Sequence, residues 1–189
     1  MDKKYLCSWV PSSDELYQKY HDEEWGVPVY DDQKIFEFLV LESAQAGLSW
    51  ITVLRKRENY RKVFLNFDPR KVAKFTANNV AQLMNNAGII RNRMKIEATI
   101  NNAKQFLEVQ KEFGTFAKYI WRFVDGKPIC NRWKKLADLP TKTEIAENLS
   151  NDLKRRGFKF LGPTVIYAHM QATGMVNDHT TDCFRYKEV

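Results

Sequence analysis

Helix punctuation constrains this chain more than any other feature. Start and stop signals recur from Ser12 to Thr173, and no stretch shows the apolar–polar alternation of a half-buried strand. Ser12 with Glu15 has capping-box spacing and opens a helix to about Trp25, stopped by Gly26 and Pro28. Asp31 or Asp32 caps a second helix through about Gln45, ended by Gly47, and a third runs from about Ser49 to Phe64. Pro69 sits at the first position of a short fourth, and Thr76 caps a fifth that closes at Gly88. A long helix from about Arg91 to Phe113 follows, then one capped by Thr115 that reaches the Asp125-Gly126 turn. Thr141 with Glu144 opens a helix ending at Gly157, and Pro163 starts a last one through about Thr173. Only 127–140 reads as a linker or extended piece, and the tail from Val176 to Val189 reads as polar and irregular. The predicted class is all-α, in a single domain or two closely packed lobes.

Hydrophobic residues make up 44% of the chain, enough for a core, while a net charge of +7 suits an anionic partner. A basic surface with no partner is the plainer alternative. Lys3 and Lys4 are followed by no apolar run of signal-peptide length, and no stretch approaches a membrane span. A cytoplasmic chain without a membrane partner is expected. Three cysteines without an export signal favour metal ligation over disulfides.

Cys7 and His21 near the start, and His179-x3-Cys183 near the end, supply two nitrogens and two thiolates. That is the closed set structural zinc prefers. On spacing alone, four unrelated residues are the plainer reading. A zinc joining both ends would anchor the polar tail. His169 lies inside a helix beside Tyr167 and Met170 and reads as core, and Cys130 has no partner nearby.

The run from Leu83 to Ile96 is a helix, a Gly88 turn with an expected positive φ, and a helix opening with Arg91, Arg93 and Lys95. A helix–hairpin–helix of this kind grips phosphates without reading sequence. An ordinary helical hairpin with a solvated basic face stands beside it. Glu42 continues the apolar stripe of Ile35, Phe38 and Leu39. A carboxylate there is expensive to bury without a partner, so a functional role competes with a stripe that ends in solvent. Trp9, Tyr17, Tyr20, Trp25 and Trp50 cluster in the first fifty residues, as a core or as a pocket for a flipped base.

Several blocks are similar to the DNA-3-methyladenine glycosylase I (Tag) family of helix–hairpin–helix base-excision enzymes. They are Tyr20-His21-Asp22 into Glu24-Trp25-Gly26, Leu41-Glu42 and Gln45 to Leu54, Ala87 to Arg91, Arg156 to Phe160 with Gly162, and Val176 to His179. The resemblance spans nearly the whole chain. It implies one structural zinc on Cys7, His21, His179 and Cys183. It implies Glu42 as the base-contacting catalytic carboxylate, Trp50 as the stacking ring, and Tyr17, Tyr20, Trp9 and Trp25 as further base-binding walls. Gly47, Leu48, Gly88, Arg91, Arg93 and Lys95 would meet DNA, with Leu48 filling the gap left by the flipped nucleotide.

Many helix–hairpin–helix glycosylases carry a catalytic Asp soon after the hairpin, and none stands here before Asp125, in keeping with this family's different chemistry. The implied arrangement is one 1–189 glycosylase domain, with a central lobe at about 30–140 and a zinc-stabilised lobe from 1–30 and 140–189. A monomer acting on double-stranded DNA with alkylated adenine is expected. The alternatives are a glycosylase for another alkylated purine, or a non-catalytic zinc-stabilised DNA-binding domain.

Overall fold

The computed structural model describes residues 5–189. It is mostly helical, as expected: α1 (Glu15–Glu23), α2 (Asp32–Gln45), α3 (Trp50–Leu54), α4 (Arg57–Val63), α5 (Pro69–Val72), α6 (Ala77–Met84), α7 (Arg93–Phe113), α8 (Phe116–Trp121), α9 (Glu144–Arg155) and α10 (Pro163–Ala172). Two two-residue strands, β1 (Ile129–Cys130) and β2 (Val176–Asn177), pair in parallel.

The centre of the molecule is α2. Its N-terminus is set by Asp31, whose carboxylate accepts from the backbone N–H of Lys34 at 2.8 Å. Every residue from Ile35 to Ala44 is buried, Glu37 and Glu42 included. A helix buried all round has neighbours on every side, and α3, α7, α8 and α10 pack on this one. Each fully buried Phe or Leu contributes about 1.5–3 kcal/mol, and Phe36, Phe38 and Leu41 are all at 0% exposure. Glu42 therefore rides on a rigid element.

Local signals misplaced several boundaries. Asp14, not Ser12, caps α1, accepting from the N–H of Tyr17 at 3.1 Å. Thr143, not Thr141, caps α9, accepting from Ala146 at 3.3 Å. The helix expected over Ser49–Phe64 is two helices broken at Arg55 and Lys56. Asn92 caps α7, so Arg91 precedes that helix instead of opening it.

The tail departs most from expectation. Met175 to Thr180 are all buried. No buried polar side chain there lacks a partner, and that is what makes burial affordable. The Asn177 amide donates to the carbonyls of Tyr186 and Val189 at 3.0 and 2.9 Å. Hydropathy reads such residues as loop because it cannot see the partners.

Candidate active site

The four expected metal ligands meet. One donor atom each from Cys7, His21, His179 and Cys183 lies within 4.8 Å of every other, and all four residues are buried. Cys183 Sγ stands 3.4 Å from His21 Nε2 and 3.5 Å from His179 Nδ1. The opposite ring nitrogens are held from outside. His21 Nδ1 is 2.7 Å from Asp22 Oδ1, and His179 Nε2 is 3.0 Å from the Trp25 carbonyl. Such outer contacts fix the tautomer and ring angle of metal-binding histidines. Hydrogen bonds from the Cys7 thiol and from both histidines push the Cys183 thiol down toward thiolate. The donor set and burial fit a metal ion.

A cleft of about 190 Å³ opens beside this cluster. Trp9, Tyr17, Tyr20, Trp25, Glu42 and Trp50 line it, so every expected base-pocket residue converges there. Trp9 packs on Tyr17 and Trp25 at 5.2 and 5.0 Å between ring centres, and Tyr20 on Trp50 at 5.1 Å. Trp9 also meets the His21 ring at 5.3 Å, and Trp25 the His179 ring at 4.7 Å. The Cys/His cluster thus backs one wall of the cleft. A larger hollow of about 570 Å³ beside Tyr30 and Trp121 is bordered by exposed Lys118, Arg122 and Asp125 and holds no buried charge.

Glu42 is 4% exposed and makes no hydrogen bond with a described residue. Burial pushes its carboxyl up to about 8. Glu24, one helix away, shows the opposite outcome. Burial works against its ionisation too, but Arg57 donates twice at 2.7 Å and holds it at about 2. The difference lies in the partner: Glu24 fastens the end of α1 to Arg57 of α4, and Glu42 has no such cation beside it. Burial first, and the Glu42 charge second, push the Tyr17 and Tyr20 phenols up. The Trp50 indole N–H is likewise buried without a partner.

The hairpin between α6 and α7 is fastened to α4. Lys56 donates to the Ala87 carbonyl at 2.7 Å, and the Tyr60 hydroxyl accepts from the Ile90 N–H at 3.1 Å. Gly88 does not have a positive φ. A Cβ there would press on the Asn59 side-chain amide, which would have to shift to admit it. Gly47 is the residue with positive φ, +81°, and it turns the chain so that Leu48 is 41% exposed.

Arg91 and Arg93 are exposed, with Arg93 only 3.5 Å from Glu97 in a weak surface pair. Lys95 is half-buried. Its ammonium donates to the carbonyls of Ala44 and Ala46 at 2.8 and 2.6 Å, which closes the C-terminus of α2. It ties the Leu48 loop to the hairpin helix.

Cys130 is exposed and outside the cluster. His169 is core as expected, 1% exposed, with both ring nitrogens unpartnered and burial pushing it down to about 3. Sequence reasoning missed Gln45, Leu136, Leu139, Ala168 and Gln171, which also line the cleft. Gln171 alone left a signal, a polar residue near the end of the largely apolar α10.

A helical scaffold that holds a basic hairpin beside an aromatic cleft with one buried, unpaired carboxyl defines a base-handling protein. The family model described as methyladenine glycosylase matches residues 9–186, and the chain belongs to that family. It is 51% identical over 177 residues to the DNA-3-methyladenine glycosylase of Haemophilus influenzae, covering 94% of this chain and 95% of that protein. Among solved structures, 3-methyladenine DNA glycosylase I (TAG) superposes with a TM-score of 0.92 at 50% identity, covering 95% of this chain and 98% of that one. A Tyr-to-Phe variant of such an enzyme, in complex with 3-methyladenine, superposes with a TM-score of 0.91 at 40% identity, covering 95% and 96%.

Proposed function

We propose that this chain is a DNA glycosylase that hydrolyses the N-glycosidic bond of 3-methyladenine in alkylated duplex DNA. The observation that carries this reading is Glu42, a carboxyl buried without a partner in an aromatic cleft. The relatives' names agree with it. A protein that only grips the DNA backbone has no use for such a group.

The 3-methylated base is cationic in DNA. When the glycosidic bond breaks, the base keeps the electron pair, loses its positive charge and leaves without prior protonation. Water then adds to the sugar carbon. The pocket must bind the departing cation and hold the nucleotide out of the stack. Trp50 stacks on its face, a contact worth about 1–3 kcal/mol. Ionised Glu42 accepts from the exocyclic amine and faces the positive charge. Tyr17, Tyr20, Trp9 and Trp25 enclose the base, and Leu48 fills the gap in the duplex, as apolar wedges do.

Cys7, His21, His179 and Cys183 hold one zinc ion. Two imidazoles and two thiolates would fill the ligand set that structural zinc prefers, so the ion would supply folding stability and no reacting water. The ion's task is structural, bracing the wall of Trp9 and Trp25.

The cleft offers no histidine to act as a general acid, since His21 and His179 belong to the metal cluster and His169 is core. Departure of a neutral base needs that help. The purified chain should therefore release 3-methyladenine from methylated duplex and leave uracil and hypoxanthine in place. Uracil release at a comparable rate would overturn the reading.

Arg91 and Arg93 contact phosphates beside the hairpin. Replacing both with Ala should flatten the salt dependence of duplex binding by about 2 in slope, since each lost contact removes about 1. An unchanged slope in a binding titration would make this face a merely solvated surface. Lys95 belongs to the support of the Leu48 loop, not to that phosphate-contacting set.

A further inference from the structure

Asp178 is 1% exposed and takes four hydrogen bonds. Oδ1 accepts from the Asn131 amide and the Trp133 indole N–H, both at 2.7 Å. Oδ2 accepts from the Tyr167 hydroxyl at 2.5 Å and from Gln171 Nε2 at 2.7 Å. A carboxylate can only accept, so Gln171 must turn its NH₂ toward Asp178. The Gln171 amide is planar, and Gln171 lines the base cleft. Its oxygen makes no hydrogen bond with a described residue and is not sealed from the cleft or solvent.

We propose that Asp178 is a positioning residue that locks the Gln171 amide so that an acceptor, and not a donor, faces the base. The proposal rests on the glycosylase reading above. The exocyclic amine of 3-methyladenine has two N–H groups. Glu42 takes one and the Gln171 oxygen takes the other. A 6-oxopurine such as 3-methylguanine presents an oxygen at that place, which meets the Gln171 oxygen lone pair to lone pair. Rejection of the 6-oxo base is thereby built into the orientation of a single amide.

The substitution Asp178→Asn reverses the lock. The Trp133 indole can only donate, so it retains the Asn oxygen, and the Asn NH₂ turns to Tyr167 and Gln171. Gln171 must then give its oxygen to that NH₂ and present its own NH₂ to the base. The test compares release of 3-methyladenine and 3-methylguanine from one methylated duplex by the zinc-loaded parent, Asp178→Asn and Gln171→Met. The parent should favour 3-methyladenine. Asp178→Asn should lower the ratio of the two rates by about tenfold or more, in keeping with one misplaced buried hydrogen bond. Gln171→Met, with neither donor nor acceptor, should lose 3-methyladenine release by about tenfold and 3-methylguanine release by less.

A purely structural role for Asp178 slows both bases in parallel, and that result, with an unmoved ratio in Gln171→Met, would overturn the proposal. If Asp178→Asn fails to fold, the ratio in Gln171→Met decides alone. A parent that releases no 3-methyladenine overturns the glycosylase reading itself. An active parent with unmoved ratios overturns only this inference.

Discussion

Glu42→Gln is expected to release 3-methyladenine about 10–1000-fold more slowly than the parent near neutral pH, the range of one preorganised polar contact. The same variant should be more stable. The amide keeps the shape of the side chain and can still accept from the base, but it carries no negative charge to set against the cation. The stability change follows from proton linkage. The carboxyl is raised from an ordinary 4.5 to about 8 by burial, so the folded state holds its proton more tightly than the unfolded chain does. The stability this group allows is complete below pH 4.5 and is lost as pH rises through 8. At about 1.36 kcal/mol per unit, the loss in the parent is on the order of 5 kcal/mol at pH 9. Gln cannot ionise and escapes it. Calorimetry at pH 9 should find the variant melting roughly 10 °C above the parent, with the gap closed near pH 4.5. Faster base release or equal melting at pH 9 would show that Glu42 is solvated or paired. A gain in stability coupled to a loss of rate is the signature of a group retained for chemistry.

Loss of the metal is expected to cost the most stability. Substituting Cys183 with Ser, or His179 with Ala, should abolish bound zinc and lower the melting temperature. Structural zinc contributes on the order of 10 kcal/mol in small domains that depend on it. The loss should be smaller here, because the apolar core around α2 includes Cys7 and Cys183 but extends far beyond them. The same substitutions should weaken binding of free 3-methyladenine, since Trp9 and Trp25 pack edge-on against the ligand histidines. Elemental analysis of freshly purified chain checks the first point, and one zinc per chain is expected. Protein that is folded, active and free of zinc would remove the metal from the account.

Which parts were legible in the sequence has physical reasons. Helix order was readable where a helix carries its own stop, as Gly114 after Phe113 and Gly157 after Arg156 show, and not at Arg55 and Lys56, where no such stop separates α3 from α4. The starts were less secure where acceptors crowd together. Ser12, Ser13 and Asp14 all offer a capping oxygen, and only the folded chain selects Asp14. Glu42 could be singled out because a carboxyl on an apolar stripe contradicts its surroundings. The contacts of Lys95 were hidden for the converse reason: a lysine beside two arginines looks like part of a basic face, and the carbonyls it caps lie some fifty positions earlier in the chain. Gly88 had the right identity and the wrong cause, since the crowding atom belongs to Asn59 on another helix. Leu136 and Leu139 reach the cleft from the one segment without a periodic pattern, and nothing local marks them.

The central claim is that a cationic base leaves into a pocket whose one unpaired charge is Glu42, and single-turnover release of 3-methyladenine against pH tests it most directly. The free enzyme holds the Glu42 proton up to about pH 8, and only the carboxylate stabilises the cation. Release per unit of free enzyme should therefore rise about tenfold per pH unit below that value and level off above it, while Glu42→Gln stays flat. A parent profile that is flat from pH 6 to 9, or one shared by the Gln variant, would contradict the account.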